Sequence, residues 1–415
     1  MTTTNQKILL AFGSVPKDSG TFTFYRTLRP MLTNDGIDMR CVSVGEREAA
    51  LWDQDFADEG CVQLAAHTAN VKKQARAFAD WCQEAGVDLV IGINSVAILS
   101  SLPHLPENLR VLSRCANSFD HGYRITVSCY DRLVRIVTTT PRQVRDLTRD
   151  YGVTEARMSL IPNGIAPALF DTAAQRPRGE APALRLGFLG RLEHNQKGVL
   201  FLPEILRRLR GMDAEFRFTI AGDGVHKRTL ERELDPFVQG GFVEFVGALP
   251  PSKVPGFLGE LDVFLFPSRF EGCPNALLEG LMAGCVPVAW ELEGITDFII
   301  EEGRTGFLAP MGDCAAFADR IAALAGDRTR LQRMNEAAGQ AARERFSQGR
   351  VAADYARLIR RVMQEPVLPW SPRPWSGFRI DPAFRDSWRT VIPAPLKKAA
   401  KRWLFRLGLS KRFEN

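Results

Sequence analysis

The sequence predicts an α/β protein made of two doubly wound, Rossmann-like domains that face each other across a cleft, with a basic C-terminal tail behind them. Three observations point there. Short apolar runs alternate with helix-patterned stretches throughout the first half. A polar run, "DTAAQRPRGEAPA" (171–183), then interrupts the pattern, and the alternation restarts at "LRLGFLG" (184–190). The expected layout is a first domain over 1–175, a second over 184–350, a closing helix over 351–364 and a Pro- and Trp-rich tail over 365–415.

In the first domain "KILLAFG" (7–13) reads as a strand, an apolar run ending at glycine. "TFTFYRTLRPMLTNDG" (21–36) has helical spacing and a terminal Gly. Strands are expected next at 39–45, 88–94, 109–117 and 131–140, with a helix over 69–86 between the first two. The second domain offers strands at 184–190, 215–224, 242–248, 262–268 and 285–290, and a helix from Val199. Residues 313–347 read as helical throughout, and the helix around 351–364 as the last globular element. Doubly wound sheets take ligands outside the C-terminal ends of their strands, so two such sheets set a cleft between them.

Composition is that of an ordinary soluble protein, 45% hydrophobic and 25% charged. The longest apolar stretch, "VDLVIGINSVAILSSLP" from Val87, is broken by Asn94 and Ser95, so no spanning helix is expected. The N-terminus lacks the length and flanks of a signal peptide. Eight scattered Cys without a CxxC pair fit reduced thiols in a cytoplasm. The five His make no metal-ligand spacing, so neither metal nor cofactor is expected. "WDQD" (52–55) has the Asp-x-Asp pattern of metal-dependent transferases, yet follows no evident strand and reads as surface. Residues 393–415 hold seven Lys/Arg against one Glu, a net +6 that equals the net charge of the whole chain. The basic character therefore belongs to the tail, and nucleic acid is not an expected partner.

Four stretches fall at strand ends of the second domain: "GRLEHNQKG", "AGDG", "FPSRFEGCPNALLEG" and "EEGRTGFLAP". Arg191 and Lys197 bring positive charge to the cleft, with Gly190 and Gly198 permitting close backbone approach. A departing diphosphate needs such charge, because negative charge grows on it as a glycosidic bond breaks. Pro274 cannot continue a helix from Glu271, so a helix is expected from Asn275, as N-cap, and its free N–H groups form an anion site. Glu271 then precedes that site, and Glu279 lies about one turn inside the helix.

Over 160–310 the elements "IPNGI", "GRL…QKG", "AGDG", "VGAL", "FPSRFEGCPNALLEGLMAGCVPV" and "GRTGFLAP" occur in this order. The ordered set, and "EGCPNALLEG" above all, resembles retaining glycosyltransferases of the GT-B fold, family 4 type, and the likeness extends over roughly 1–364. The resemblance implies that Arg191 and Lys197 hold a donor diphosphate, that Glu271 hydrogen-bonds the donor sugar and that Glu279 binds the ribose hydroxyls. It implies further that the backbone of Asn275, Ala276 and Leu277 helps seat sugar and phosphate, and that Gly20 in "DSGTF" opens the phosphate- and acceptor-facing helix. The glycines of "AGDG" read first as a tight strand–helix turn, with Gly222 also a donor-site candidate through phosphate contact. The family pattern has two adjacent glycines where this chain has Ser19-Gly20. It also often has a His at the end of the strand that here reads "VLSRCAN", where Ala116 and Asn117 stand. His121, a few residues further on, is the candidate for touching the donor sugar beside the reacting carbon, together with Arg124. After "CVPVAW", where a Gly-Gly loop and a Glu are expected, the chain offers Gly294 and Asp297.

The implied activity is metal-independent, retaining sugar transfer from a UDP-, GDP- or ADP-linked donor to a glycan or lipid-linked hydroxyl acceptor, in bacterial polysaccharide, lipopolysaccharide or glycolipid assembly. Three other readings compete: a glycoside hydrolase using Glu271 and Glu279, a nucleotide-sugar epimerase of the same fold, and a membrane-attached scaffold that has lost catalysis. Diphosphate-suited loops argue against the first and the ordered motifs against the second. A helix from Leu396 places Leu396, Ala399, Ala400, Trp403, Leu404 and Leu407 on one side and Lys397, Lys398, Lys401, Arg402 and Arg406 on the other, with Phe405 breaking the pattern. Such a basic amphipathic helix suits an anionic membrane surface, so a cytoplasmic protein attached peripherally to the membrane's inner face is expected. Packing of that helix on the protein's own body is the alternative.

Overall fold

The structure, a computed structural model, describes residues 7–16, 20–93, 95–171 and 183–384. The amphipathic helix expected within 393–415 lies outside the described residues, as do Ser19 and most of the polar run before the second domain.

Two separate sheets form, one in each half of the chain. The first contains β1 (Ile8–Gly13), β2 (Ile37–Val44), β3 (Cys61–Leu64), β4 (Leu89–Gly92), β5 (Arg110–Arg114), β6 (Leu133–Thr138) and β7 (Met158–Leu160), in the order β3-β2-β1-β4-β5-β6-β7. The second contains β8 (Leu184–Leu189), β9 (Phe216–Ala221), β10 (Val243–Gly247), β11 (Val263–Phe266), β12 (Val286–Trp290) and β13 (Phe307–Ala309), in the order β10-β9-β8-β11-β12-β13. Every strand pairing is parallel. Helices cover both faces of each sheet, which is why central strands such as β4, β11 and β12 are apolar without alternation and buried along their whole length. The α/β, doubly wound class and the expected central strands are present.

Three strands escaped the sequence pattern: β3, β7 and β13. They have four, three and three residues, and each lies at a sheet edge, where strands are short and too few apolar positions exist to set up a period. Two helix boundaries also differ. Residues Val199–Phe201 form a 3₁₀ turn, and the α-helix begins at Leu202 with Pro203 in its first turn. The stretch expected to be one helix over 313–347 is two, Cys314–Gly326 and Arg328–Phe346. Asp327 separates them, its carboxylate accepting from the Arg330 N–H at 2.8 Å as an N-cap.

The chain then returns to the first domain. Ile165, just past β7, and Ser347 form a two-residue parallel bridge, with the Ile165 N–H on Phe346 O and the Gln348 N–H on Ile165 O, each at 2.8 Å. Gly164 permits this contact, since a Cβ there would lie 2.9 Å from the Gln348 Cα. The helix Gln348–Gln364 lays Val351, Tyr355, Ile359 and Val362 into the core formed by Leu10, Phe12 and Phe24 of the first domain. It is not the last packed element. Residues 365–384 continue along the first domain, where the His104 ring stacks on Trp375 at 4.3 Å and bonds Arg373 O through Nδ1 at 2.7 Å. The Asp381 N–H reaches Ser100 Oγ at 3.0 Å, and Phe384 meets His121. No helix among the described residues is long and apolar enough to cross a membrane.

Candidate functional site

In the second sheet the strand order reverses between β8 and β11, which are hydrogen-bonded neighbours. Loops leaving two such strands diverge to opposite faces and open a crevice at their C-terminal ends. The β8 loop carries Arg191 and Lys197; the β11 loop carries Glu271. The fold alone therefore brings these side chains together.

The β8 loop is held by its own residues. Glu193 caps the one-turn helix His194–Lys197, its carboxylate accepting from the N–H groups of Asn195 at 2.7 Å and Gln196 at 2.9 Å. Burial pushes the Glu193 carboxyl up, but those two N–H bonds outweigh it and hold its pKa below the ordinary value. Gly198 ends the turn at φ 64°, and a Cβ there would lie 1.9 Å from Pro267 O, so only glycine lets the two loops meet. The Arg269 N–H on Gln196 O at 2.7 Å closes the junction. Within it Lys197 Nζ donates to Glu271 Oε1 at 2.6 Å, with the two side chains only 16% and 6% exposed. Gln196 Nε2 reaches the other Glu271 oxygen at 3.3 Å, and its Oε1 accepts from Arg191 at 2.7 Å. The result is one connected network, Arg191–Gln196–Glu271–Lys197, with Arg191 at its exposed end.

Past Glu271 the chain turns through Gly272-Cys273-Pro274 into the helix Asn275–Met282. Here the expected cap is corrected. Pro274 is the N-cap residue, in extended conformation, and Asn275 is the first helical residue. The Asn275 side chain, expected to cap, instead accepts from Asn163 Nδ2 at 2.7 Å. The Leu277 N–H is also taken, donating to Pro274 O at 3.1 Å, which leaves the amides of Asn275 and Ala276 as the helix's first donors. Glu279, one turn in, is half-buried and lines a cleft of about 460 Å³ between the domains, together with Asn275, Gly20, Phe24, Leu169 and Val254. Burial raises the Glu279 carboxyl to about 7.

Gly20 begins the helix Gly20–Asn34 and faces this cleft, with no atom within 4 Å of where its Cβ would stand. Gly222 has a packing role: a Cβ on it would lie 1.9 Å from Gly190 O, so the β9 loop can lie against the β8 loop only as glycine. His121 is not brought to the network. It is exposed at the start of the helix Asp120–Thr126, its ring edge-on to Phe384 at 6.2 Å, while Arg124 pairs with Asp120. What abuts the Glu271 turn from the first domain is the loop just after β5, since a Cβ on Gly272 would lie 3.0 Å from Ala116 O and 3.5 Å from the Asn117 Cα. Gly294 is spent on a domain contact, its carbonyl accepting from the Arg142 N–H at 3.1 Å, beside an Arg145–Glu293 ion pair. Among the described residues no three His, Cys, Asp or Glu side chains group as a metal site. Sequence reasoning missed Gln196 and Asn163. Both stand inside quoted motifs, but a neutral amide gives no signal of charge or periodicity.

The family of glycosyl transferases group 1 matches over residues 183–327. The amylovoran biosynthesis glycosyltransferase AmsK of Erwinia amylovora is 34% identical over 145 residues, 32% of this chain and 34% of that protein. The chain spans a third to about half of the length of the curated relatives it matches. Among solved structures, a glycosyltransferase from Rickettsia africae superposes with a TM-score of 0.72 at 16% identity, covering 87% of this chain and all of that one. Anabaena Alr3699/HepE, solved in complex with UDP and glucose, gives 0.67 at 17% identity, over 85% of this chain and 100% of that one. The two parallel sheets thus share the GT-B arrangement of these solved structures, and the switch-point loop network lies inside residues 183–327, the segment that is similar to the glycosyl transferases group 1 family.

Proposed function

We propose that this protein transfers a sugar from a nucleoside-diphosphate donor to a hydroxyl acceptor with retention of configuration and without a metal. The observation that carries it is the buried Lys197–Glu271 pair at the β8/β11 switch point, joined through Gln196 to Arg191 and followed at once by the open helix start at Asn275. A carboxylate that accepts from sugar hydroxyls here stands beside two cations and two backbone amides, the donors that a departing diphosphate requires. Lys197 and Arg191 take the growing charge, the amides of Asn275 and Ala276 share it, and Glu279 accepts from the ribose hydroxyls. On this reading the acceptor attacks on the face the diphosphate leaves, and a phosphate oxygen takes its proton. Positioning and charge stabilisation supply the rate. The likeness to AmsK, named for amylovoran biosynthesis, supports polysaccharide or glycolipid assembly as the setting, and HepE, solved with UDP and glucose, supports a uridine donor as the first to try.

A panel of UDP-, GDP- and ADP-hexoses, scored by thermal shift, identifies the base. NMR of the anomeric proton in the transferred or hydrolysed sugar then tests retention. An inverted product would overturn the same-face mechanism. One observation favours a second reading, a scaffold of the same fold without catalysis: the strand-end His is replaced by Ala116 and Asn117 against Gly272. A folded protein that binds nucleotide but releases none from any donor would establish it.

A further inference from the structure

A buried cation of the first domain is tied to the turn that carries Glu271. Arg114, the last residue of β5, is 7% exposed and lies with its guanidinium 4.3 Å from the centre of the Phe24 ring. Its Nε donates to the Tyr355 hydroxyl at 3.2 Å and its Nη2 to Asn163 Oδ1 at 2.6 Å. Asn163 carries the connection across to the second domain, its Nδ2 donating to Asn275 Oδ1 at 2.7 Å and to Cys273 O at 3.0 Å. Since Oδ1 is held by Arg114, the amide can present only its NH₂ to the turn, so the guanidinium fixes which way Asn163 points. None of the ion pairs among the described residues includes Arg114. A full charge is thus kept in the interior by neutral oxygens and a ring face, an arrangement whose desolvation cost a neutral side chain would avoid.

We infer that Arg114 is a positioning residue for the nucleotide-diphosphate site, acting through Asn163 on the Cys273–Asn275 turn. This rests on the function proposed above. The turn sets both ends of that site: Glu271 lies just before it, and the amides of Asn275 and Ala276 lie at its exit. Without the strut, the turn keeps its packing but loses the Asn163 hydrogen bonds that tie it to Arg114 of the first domain. Affinity for the diphosphate then falls before stability does. Tyr355 serves as the internal control, because its hydroxyl accepts from the same guanidinium through Nε, whereas Asn163 is held through Nη2.

The test is calorimetric titration of the full-length chain with UDP, GDP and ADP, alongside urea unfolding of each variant. The nucleotide that binds wild type is expected to bind Arg114→Met about tenfold more weakly, the factor one charged hydrogen bond represents. Asn163→Ala should lose a similar factor, the double variant no more than either single one, Arg114→Lys should recover most of it, and Tyr355→Phe should bind as wild type does. If Arg114→Met does not fold, Arg114→Lys and Asn163→Ala carry the comparison. Wild-type affinity in Asn163→Ala, or losses that multiply in the double variant, would overturn the inference. A folded wild-type protein that binds none of the three nucleotides would instead overturn the function on which it rests.

Discussion

At the scale of single residues, the Lys197–Glu271 pair does two things at once. Because both side chains are nearly buried, removing the lysine alone strands a carboxylate in the interior. Lys197→Ala is therefore expected to lose turnover and also about 3 kcal/mol of stability in urea unfolding. Lys197→Met combined with Glu271→Gln should regain most of that stability while staying inactive. A lysine at a strand end gives no sign in the sequence of this buried pairing. Arg191, exposed and bonded to a neutral amide, should lose activity on truncation with stability unchanged. Glu279 sets a pH dependence. Its carboxyl, raised to about 7 by burial, accepts more strongly once ionised, so in the proposed role at the ribose hydroxyls nucleotide affinity should rise with pH through about 7 and then level off. The effect on stability has the opposite sign, because a raised folded-state value favours the folded protein at low pH and that advantage fades as pH climbs from the ordinary 4.5 to about 7. In Glu279→Gln the affinity profile from pH 6 to 8 should lose its inflection near 7; an unchanged profile would place the titrating group elsewhere.

At the scale of elements, what was legible depended on how many residues each element had to announce itself. β1, β2, β8 and β9 have six to eight residues of apolar pattern and were plain. β3, β7 and β13 complete sheet edges with three or four residues and were invisible. The site followed the same logic. Charged residues and glycines at strand ends marked Arg191, Lys197, Glu271 and Glu279, whereas Gln196 and Asn163 make contacts that only the folded loops create. The helix Gln348–Gln364 was seen in the sequence, but its destination was not. Its periodicity gives an apolar face and cannot name the domain that covers it. That face supplies Val351, Tyr355, Ile359 and Val362 to the first domain's core. Burying each is worth about 1.5–3 kcal/mol, so the four together approach a typical folding margin of about 5–15 kcal/mol. Removing residues 348–415 should consequently unfold the first domain, read as rapid proteolysis within 20–160 with the second domain's core protected longer. Equal protection of both would show that the first domain folds without this helix.

At the scale of the whole molecule, two sheets with reversed strand order, a crossing helix and the strut through Asn163 hold the cleft in place. The segment 365–384 runs along the first domain, and Phe384 at its end lies beside His121. Attachment of residues 393–415 to an anionic membrane would suit a lipid-linked acceptor, at roughly 1 kcal/mol for each basic side chain near the surface. Full-length protein is expected to sediment with anionic liposomes at low salt and to be released by salt or by deletion of 393–415. Indifference to such liposomes would remove the tail's support for a lipid-linked acceptor. The most direct measurement of the central claim is the rate of nucleoside-diphosphate release from UDP-, GDP- and ADP-hexoses in EDTA, compared between wild type and Glu271→Gln. One base should support release that EDTA leaves untouched and that Glu271→Gln lowers by about a hundredfold or more. Release by Glu271→Gln at the wild-type rate, or none from any donor by folded wild-type protein, would contradict it.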